Sequence, residues 1–253
     1  MKISNSELLR YSKQIILKQV GILGQKKIFS AKVLIVGMGG LGCPVALYLS
    51  NLGIKNIGLA DHDKVDVSNL NRQVLFNIKD IAKSKVVQAK KVLLRVNKKI
   101  KINVYNQKII KKNIVNILNK YDIICDCSDN FTTRYLLNDF CLKNKKILIS
   151  AAISKFEAHI FNFNFSKNIP CYRCFMPEIP EQENKCDVEG ILPTVAGIAG
   201  TLQANEVVKS ILDKKNELVG KMIVFNTLNL NFRKIKLTRN TDCILDCRKR
   251  WLK

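Results

Sequence analysis

The sequence predicts an α/β protein: a Rossmann-like, doubly wound, mostly parallel sheet followed by an antiparallel β extension. Three observations carry this expectation. Short apolar, β-branched runs alternate with helix-length amphipathic stretches between residues 32 and 151. The first of these runs ends in a glycine-rich hexapeptide that opens a helix. Beyond residue 152 the pattern changes to an alternating strand, a polar loop, one long helix and two further strands.

Taken in order, Ser4-x-x-Glu7 has the form of a capping box ahead of Leu8, Leu9, Ile15 and Ile16, which predicts one helix ending at Gly21–Gly24. Lys32–Val36 reads as a buried parallel strand, because its apolar run is short and β-branched. A helix is expected from about Gly40 to Leu52, with Pro44 tolerated in its first turn. The alternation continues with a strand at Ile57–Ala60, a helix at Ala82–Val96 and a strand at Ile102–Tyr105. It closes with a helix at Ile110–Leu118, a strand at Ile123–Cys127, a helix at Thr132–Leu142 and a strand at Ile147–Ala151. Glu157–Phe165 alternates like an antiparallel strand, Lys167–Gly190 is a polar loop, and Pro193–Leu212 is a long helix. Strands are expected at Met222–Phe225 and Phe232–Leu237. With no repeat and no linker, residues 1–253 are read as a single domain: a helical arm over 1–30, a nucleotide-binding half over 31–152, and a C-terminal half over 153–253.

Composition narrows the classes. Apolar residues make up 47% of the 253, enough for a sizeable core, yet no run of eighteen apolar residues occurs, so no membrane span is expected. The first residues carry no apolar segment behind their charge, so no secretory signal is expected and a cytoplasmic protein is. The net charge of +23 invites a nucleic-acid reading, but 34 lysines against 9 arginines, spread through a chain with 30 isoleucines and 25 asparagines, resemble compositional drift. No nucleic-acid partner is therefore expected, while an acidic protein partner would suit the surface. Of nine cysteines, Cys43, Cys125, Cys127 and Cys141 sit in apolar or helical contexts and read as buried. Cys171-x-x-Cys174 and the wider pair Cys243, Cys247 have metal-ligand spacing and could close a tetrahedral zinc site.

Gly37-Met38-Gly39-Gly40-Leu41-Gly42 follows the first strand, where backbone N–H groups can approach a phosphate at a helix N-terminus. Asp61 ends the second strand, where a carboxylate can hold a ribose hydroxyl. These features predict a nucleotide without saying which, and NAD is the generic alternative. Asp63 and the run Ser68–Gln73, containing Asn69 and Arg72, favour ATP: they lie just beyond the strand end, where a triphosphate extends and a guanidinium can neutralise it. Lys85 could add a second positive charge. Asp126–Asn130 ends a later parallel strand, and a carboxylate there can hold Mg²⁺.

Arg10–Ile15, Gly37–Gly42, Ser68–Gln73, Asp126–Asn130, Cys171–Cys174 and Gly197–Leu212, in this order across nearly the whole chain, resemble the bacterial sulfur-carrier adenylyltransferases of thiamine and molybdopterin biosynthesis. This is the ubiquitin-activating-enzyme-like family of ThiF, MoeB and HesA type. The resemblance implies ATP lying over Gly37, Gly39, Gly40 and Gly42 with its ribose on Asp61. Asn69, Arg72 and Lys85 would position the phosphates, and Asp129, with Asn130 beside it, would serve magnesium. It implies a ubiquitin-like sulfur-carrier partner, ThiS- or MoaD-like, whose C-terminal Gly-Gly carboxylate attacks the α-phosphate and releases pyrophosphate. It also implies a homodimer, a sulfurtransferase or cysteine desulfurase partner, zinc on Cys171, Cys174, Cys243 and Cys247, and a carrier-binding role for residues 153–253. Two positions depart from the family pattern: Lys13 stands where an arginine reaches the partner subunit's ATP, and the distal cysteines are spaced Cys-x-x-x-Cys. Cys186 occupies the place of a cysteine that bonds the activated carrier or accepts sulfur. Leu59-Ala60-Asp61 and Cys186 lean toward the thiamine pathway. The rival readings are a tRNA-modifying adenylating enzyme of the same superfamily, an NAD-dependent oxidoreductase with no use for Arg72 or Asp129, and a non-catalytic binding module.

Overall fold

A computed structural model describes residues 3–178, 190–213 and 216–245. Eight strands form one sheet in the order β3-β2-β1-β4-β5-β6-β7-β8. β1 (Lys32–Val36), β2 (Asn56–Ala60), β3 (Lys101–Tyr105), β4 (Ile123–Asp126) and β5 (Ile147–Ser154) run parallel. β6 (Glu157–Asn164), β7 (Lys221–Asn226) and β8 (Asn231–Lys236) continue the sheet antiparallel. The expected class is therefore the observed one. β1 pairs with β2 on one side (Val36↔Ala60) and β4 on the other (Val36↔Asp126), so the connections diverge between β1 and β4. That divergence opens a crevice at the carboxyl ends of these strands, where ligands bind in sheets of this type.

The parallel strands are apolar on both faces because helices cover both. One face packs Val33, Ile35 and Ile57 against residues of α2 (Gly21–Ser30), α3 (Gly42–Leu52), α4 (Lys85–Val96) and a nineteen-residue helix, Pro193–Ile211. The other packs Leu34, Val36 and Ile124 against residues of α5 (Ile114–Leu118) and α6 (Phe131–Lys143), and aromatic residues of β6 extend that cluster. The long helix, α8, follows a single helical turn, α7 (Tyr172–Phe175). Gln203 of α8 donates to the carbonyls of Asp126 (2.9 Å) and Ile149 (2.8 Å), pinning the helix across the ends of β4 and β5. No helix among the described residues is long and apolar enough to cross a membrane.

Several boundaries differ from expectation for local reasons. The single N-terminal helix is two: α1 (Asn5–Ile15) stops, and Gly21, at φ +59°, starts α2. Its expected apolar stripe is not the buried face. Leu9 and Ile16 are exposed, while Glu7 and Tyr11 are buried. α4 begins at Lys85 rather than Ala82, whose φ of +64° lies outside the helical region. α5 begins at Ile114 rather than Ile110, because Asn113 folds its side chain back onto the N–H of Ile110 and the carbonyl of Lys108. The polar loop contains α7, a turn too short to show periodicity in sequence.

Candidate active site

The glycine loop is set by steric necessity. A Cβ on Gly42 would stand 1.9 Å from the Gly37 carbonyl oxygen, and Gly37 itself, at φ +93°, lies against the Cys127 carbonyl. The loop thus packs directly on the end of β4. Asp61 fastens it from β2: its carboxylate accepts the Met38 N–H at 2.6 Å and the Asp63 N–H at 2.8 Å.

Beyond Asp61, a 3₁₀ turn at Val67–Asn69 is capped by Asp66, which accepts both the N–H and the hydroxyl of Ser68. Those two bonds hold the Asp66 carboxyl below its ordinary range. Asn69 donates to the Ser68 hydroxyl, and Gln73 donates to Asn69 Oδ1 at 2.7 Å. Arg72 bonds the Ser68 carbonyl at 3.0 Å. Its aliphatic stem crosses the loop, with Cδ 3.4 Å from where a Cβ on Gly40 would stand and Ala196 of α8 at 3.1 Å from the same point. Lys85, only 5% exposed, is held by Asp63 at 2.8 Å. Burying an ammonium is costly without such a partner. Asp63, expected among the nucleotide ligands, therefore serves directly as the anchor of Lys85.

At the end of β4 the two carboxylates divide their work. Asp126 is fully buried and accepts from Ser128 N–H (3.1 Å), Ser128 Oγ (2.5 Å) and Ser150 Oγ (2.7 Å), with the Arg134 guanidinium at 3.5 Å. Arg134 also donates to the carbonyls of Ser128 and Ala151. Asp126 thus shapes the turn, and Asp129 is presented, exposed, just past it. Asn130 caps α6 by accepting the Thr133 N–H at 2.9 Å.

Gly37, Gly39, Gly40, Gly42, Asp61, Asp63, Asn69, Arg72 and Lys85 form one linked constellation, with the turn bearing Asp129 and Asn130 against Gly37. Lys13 does not join it. α1 packs at the opposite end of α3, where Tyr11 lies against Gly53, about 16 Å along an eleven-residue helix from the loop. The sequence places Gln73 within the Ser68–Gln73 run expected at the triphosphate but gives it no role of its own, and gives none to Arg134 or Gln203. Gln73 stands next to Arg72, but its burial is a tertiary property.

Among the cysteines, Cys171 Sγ lies 3.9 Å from Cys174 Sγ and 3.7 Å from Cys243 Sγ. A tetrahedral ion with Zn–S bonds of about 2.3 Å has S···S edges of about 3.8 Å, so the three thiols fit zinc. Cys247 and Cys186 lie outside the described residues. Cys43, Cys125, Cys127 and Cys141 are buried as expected. Burial pushes the Cys43 thiol up to about 12 and raises those of Cys125, Cys127 and Cys141 as well, which leaves them un-ionised and unreactive.

Fold and site together define a doubly wound α/β protein whose glycine loop carries the Arg72 stem across Gly40, with Lys85 held by Asp63 beyond Asp61. The ThiF family model matches residues 11–245. "Adenylyltransferase and sulfurtransferase MOCS3" of Culex quinquefasciatus is 40% identical over 246 residues, covering 96% of this chain and 56% of that protein. The Xenopus laevis protein of the same name is 41% identical over 244 residues, covering 95% of this chain and 54% of its own. The chain thus spans about half the length of the curated relatives it matches. Among solved structures, E. coli MccB with ATP superposes with a TM-score of 0.81 at 26% identity, over 93% of this chain and 74% of that one. MccB with AMPCPP and MccA gives 0.82 at 26%, over 97% and 74%. The chain belongs to the ThiF family.

Proposed function

We propose that this protein uses ATP to adenylylate the C-terminal Gly-Gly carboxylate of a ubiquitin-like sulfur-carrier protein of the thiamine or molybdopterin pathway. The observation that carries the reading is the pair of cations fixed at the glycine loop, Arg72 lying across Gly40 and Lys85 locked by Asp63. A hydride-transfer site has no use for them. The names of the relatives and the ATP and AMPCPP complexes of E. coli MccB support the same chemistry.

A carrier carboxylate oxygen attacks the α-phosphorus of ATP. The bond from that phosphorus to the bridging oxygen breaks, and pyrophosphate leaves with the electron pair. A carboxylate is already ionised at neutral pH, so the site needs no general base. Its task is to place the phosphates and neutralise the charge that builds on the leaving group. Arg72 offers a forked donor for this, Lys85 a point charge, and Asn69 an amide beside them. Asp129 is the carboxylate that would hold magnesium, which when bound spreads the phosphate charge further. Cys171, Cys174 and Cys243, with Cys247, would hold a structural zinc.

The dimer belongs to the same proposal. α1 and α2 expose Leu9 (80%), Ile16 (74%) and Leu23 (75%) beside Lys13, an apolar arm suited to a second copy. Placed far from its own loop, Lys13 would serve the nucleotide of the partner subunit. Cys186 is the thiol proposed to meet the activated carrier, and a sulfurtransferase or cysteine desulfurase the partner that supplies sulfur. The test is exchange of labelled pyrophosphate into ATP with each candidate carrier. Exchange should require a carrier ending in Gly-Gly and fall about 10²–10³-fold in Arg72→Ala. No exchange with either carrier, or pyrophosphate release that depends on tRNA, overturns the proposal.

A further inference from the structure

The loop between Asp61 and α4 contains a chain of hydrogen bonds whose direction is fixed at one end. Asp66 can only accept, so the Ser68 hydroxyl spends its hydrogen on Asp66 Oδ1 at 2.6 Å. The Ser68 oxygen is then an acceptor, and Asn69 must turn its Nδ2 toward it, at 2.9 Å. Asn69 therefore presents Oδ1 to Gln73, which must answer with Nε2, at 2.7 Å. Turning any one amide around would set acceptor against acceptor or donor against donor. The orientation of the Gln73 amide, usually ambiguous, is thus dictated by a carboxylate seven residues away.

The chain ends on Gln73 Oε1. Gln73 is 3% exposed, and Oε1 is buried with no hydrogen-bond partner among the described residues. A buried acceptor without a donor is a standing cost to the fold. The same amide lies against the glycine loop, its Nε2 3.9 Å from where a Cβ on Gly39 would stand. A group whose oxygen is orphaned beside the phosphate loop has the character of a binding group awaiting its ligand.

We propose that Gln73 is a nucleotide-binding residue that accepts a hydrogen bond from an O–H group of the bound nucleotide complex. This rests on the nucleotide reading above. Phosphate oxygens cannot be the partner, because they too only accept. The O–H donors available at the phosphate end of a nucleotide are a ribose hydroxyl and a magnesium-held water. Gln73 thus complements Arg72 and Lys85: they answer the charge of the ligand, and it answers a hydrogen.

The test is calorimetric titration of the full chain with AMPCPP, comparing wild type with Gln73→Met, which keeps the length and removes both polar atoms. Gln73→Met should bind magnesium–AMPCPP about tenfold more weakly, the worth of one average hydrogen bond. Its thermal midpoint without nucleotide should stay close to that of wild type, because losing the bond to Asn69 is offset by losing the orphaned acceptor. The difference in affinity should vanish with the 2′-deoxy or the 3′-deoxy analogue if a ribose hydroxyl is the donor, and on omitting magnesium if the donor is a metal-held water. Equal affinities, or a difference that persists unchanged through all these arms, overturn the inference. So does a thermal midpoint lowered by several degrees, which would make Gln73 a structural residue. A wild-type chain that binds no AMPCPP would overturn the nucleotide reading and this inference with it.

Discussion

The two halves of the molecule organise polar groups in opposite ways. In the parallel half, β1 to β5, nearly every polar group near the crevice is held by another protein group. Asp61 is bound to the loop N–H groups, Lys85 to Asp63, and Asp126 to two serines and Arg134. In the C-terminal half, β6 and β7 still bury apolar side chains, but the outer strand β8 is exposed along its whole length, and the thiols of Cys171, Cys174 and Cys243 cluster together. Arg233, Lys234 and Lys236 on β8 keep that edge from pairing with another chain. One half is pre-organised by its own packing. In the other, the clustered thiols would be fixed by a shared metal ion.

The sharpest way to break the first half is Gly42→Ala. The new methyl would meet the Gly37 carbonyl at 1.9 Å, and backbone cannot yield as a side chain does. We expect a loss of more than about 4 kcal/mol, or no folded protein at all, in urea denaturation. Gly197→Ala is the control: its Cβ meets nothing within 4 Å, and exchanging glycine for alanine within α8 should leave stability unchanged or raise it by about 0.5–1 kcal/mol. A Gly42→Ala protein as stable as wild type would show that the loop is soft.

The second half breaks through its thiols. Cys171→Ser, or removal of zinc with a chelator, should lower the thermal midpoint by about 5–10 °C, consistent with a loss of about 3 kcal/mol in a chain of this size. Metal analysis should find one zinc per chain before treatment and none after it. The nucleotide half should respond less: AMPCPP affinity in the chelated protein should stay within about threefold, because the groups around the crevice are held by one another and not by the thiols. A collapse of nucleotide affinity on chelation would join what the comparison separates, with Tyr172, 5.7 Å from the Arg134 guanidinium, as the point of contact.

The same contrast decides what could be read in advance. β1, β4 and the glycine loop were legible because burial on both faces leaves a continuous apolar run, and because a tight turn under a helix admits little but glycine. Asn69, Arg72 and Lys85 were legible as residue types at family positions. The resemblance named Asp129 rather than Asp126, but the physical ground for that division was not legible, since only the serines and Arg134 packed around Asp126 tell the two carboxylates apart. Gln73 was illegible for a related reason: its meaning lies in a hydrogen-bond direction set by Asp66 and in burial contributed by the fold. The N-terminal arm misled because Leu9 and Ile16 have helical spacing yet face outward, so the apolar stripe marks a surface left open rather than the core.

That arm supplies the smallest effect and settles to which half it belongs. α1 is tied to the nucleotide half by Glu7, bonded to Lys55 at 2.7 Å, and by Asn97, which links Tyr11 to the Ser50 carbonyl. Lys55 and the Ser4 N–H hold the Glu7 carboxyl down at about 2, from an ordinary value near 4.5. A carboxyl whose value is lower in the folded than in the unfolded chain contributes stability that is complete above pH 4.5 and disappears as pH falls toward 2. Glu7→Gln should therefore cost about 1 kcal/mol at pH 7, as expected of a pair open to solvent on the lysine side, and less in high salt. The deficit should shrink between pH 4.5 and 2 until the two proteins unfold alike. A deficit that stays constant through that window would mean that Glu7 holds the arm by packing or capping alone, and that the charge on Lys55 plays no part in fixing α1 to the body.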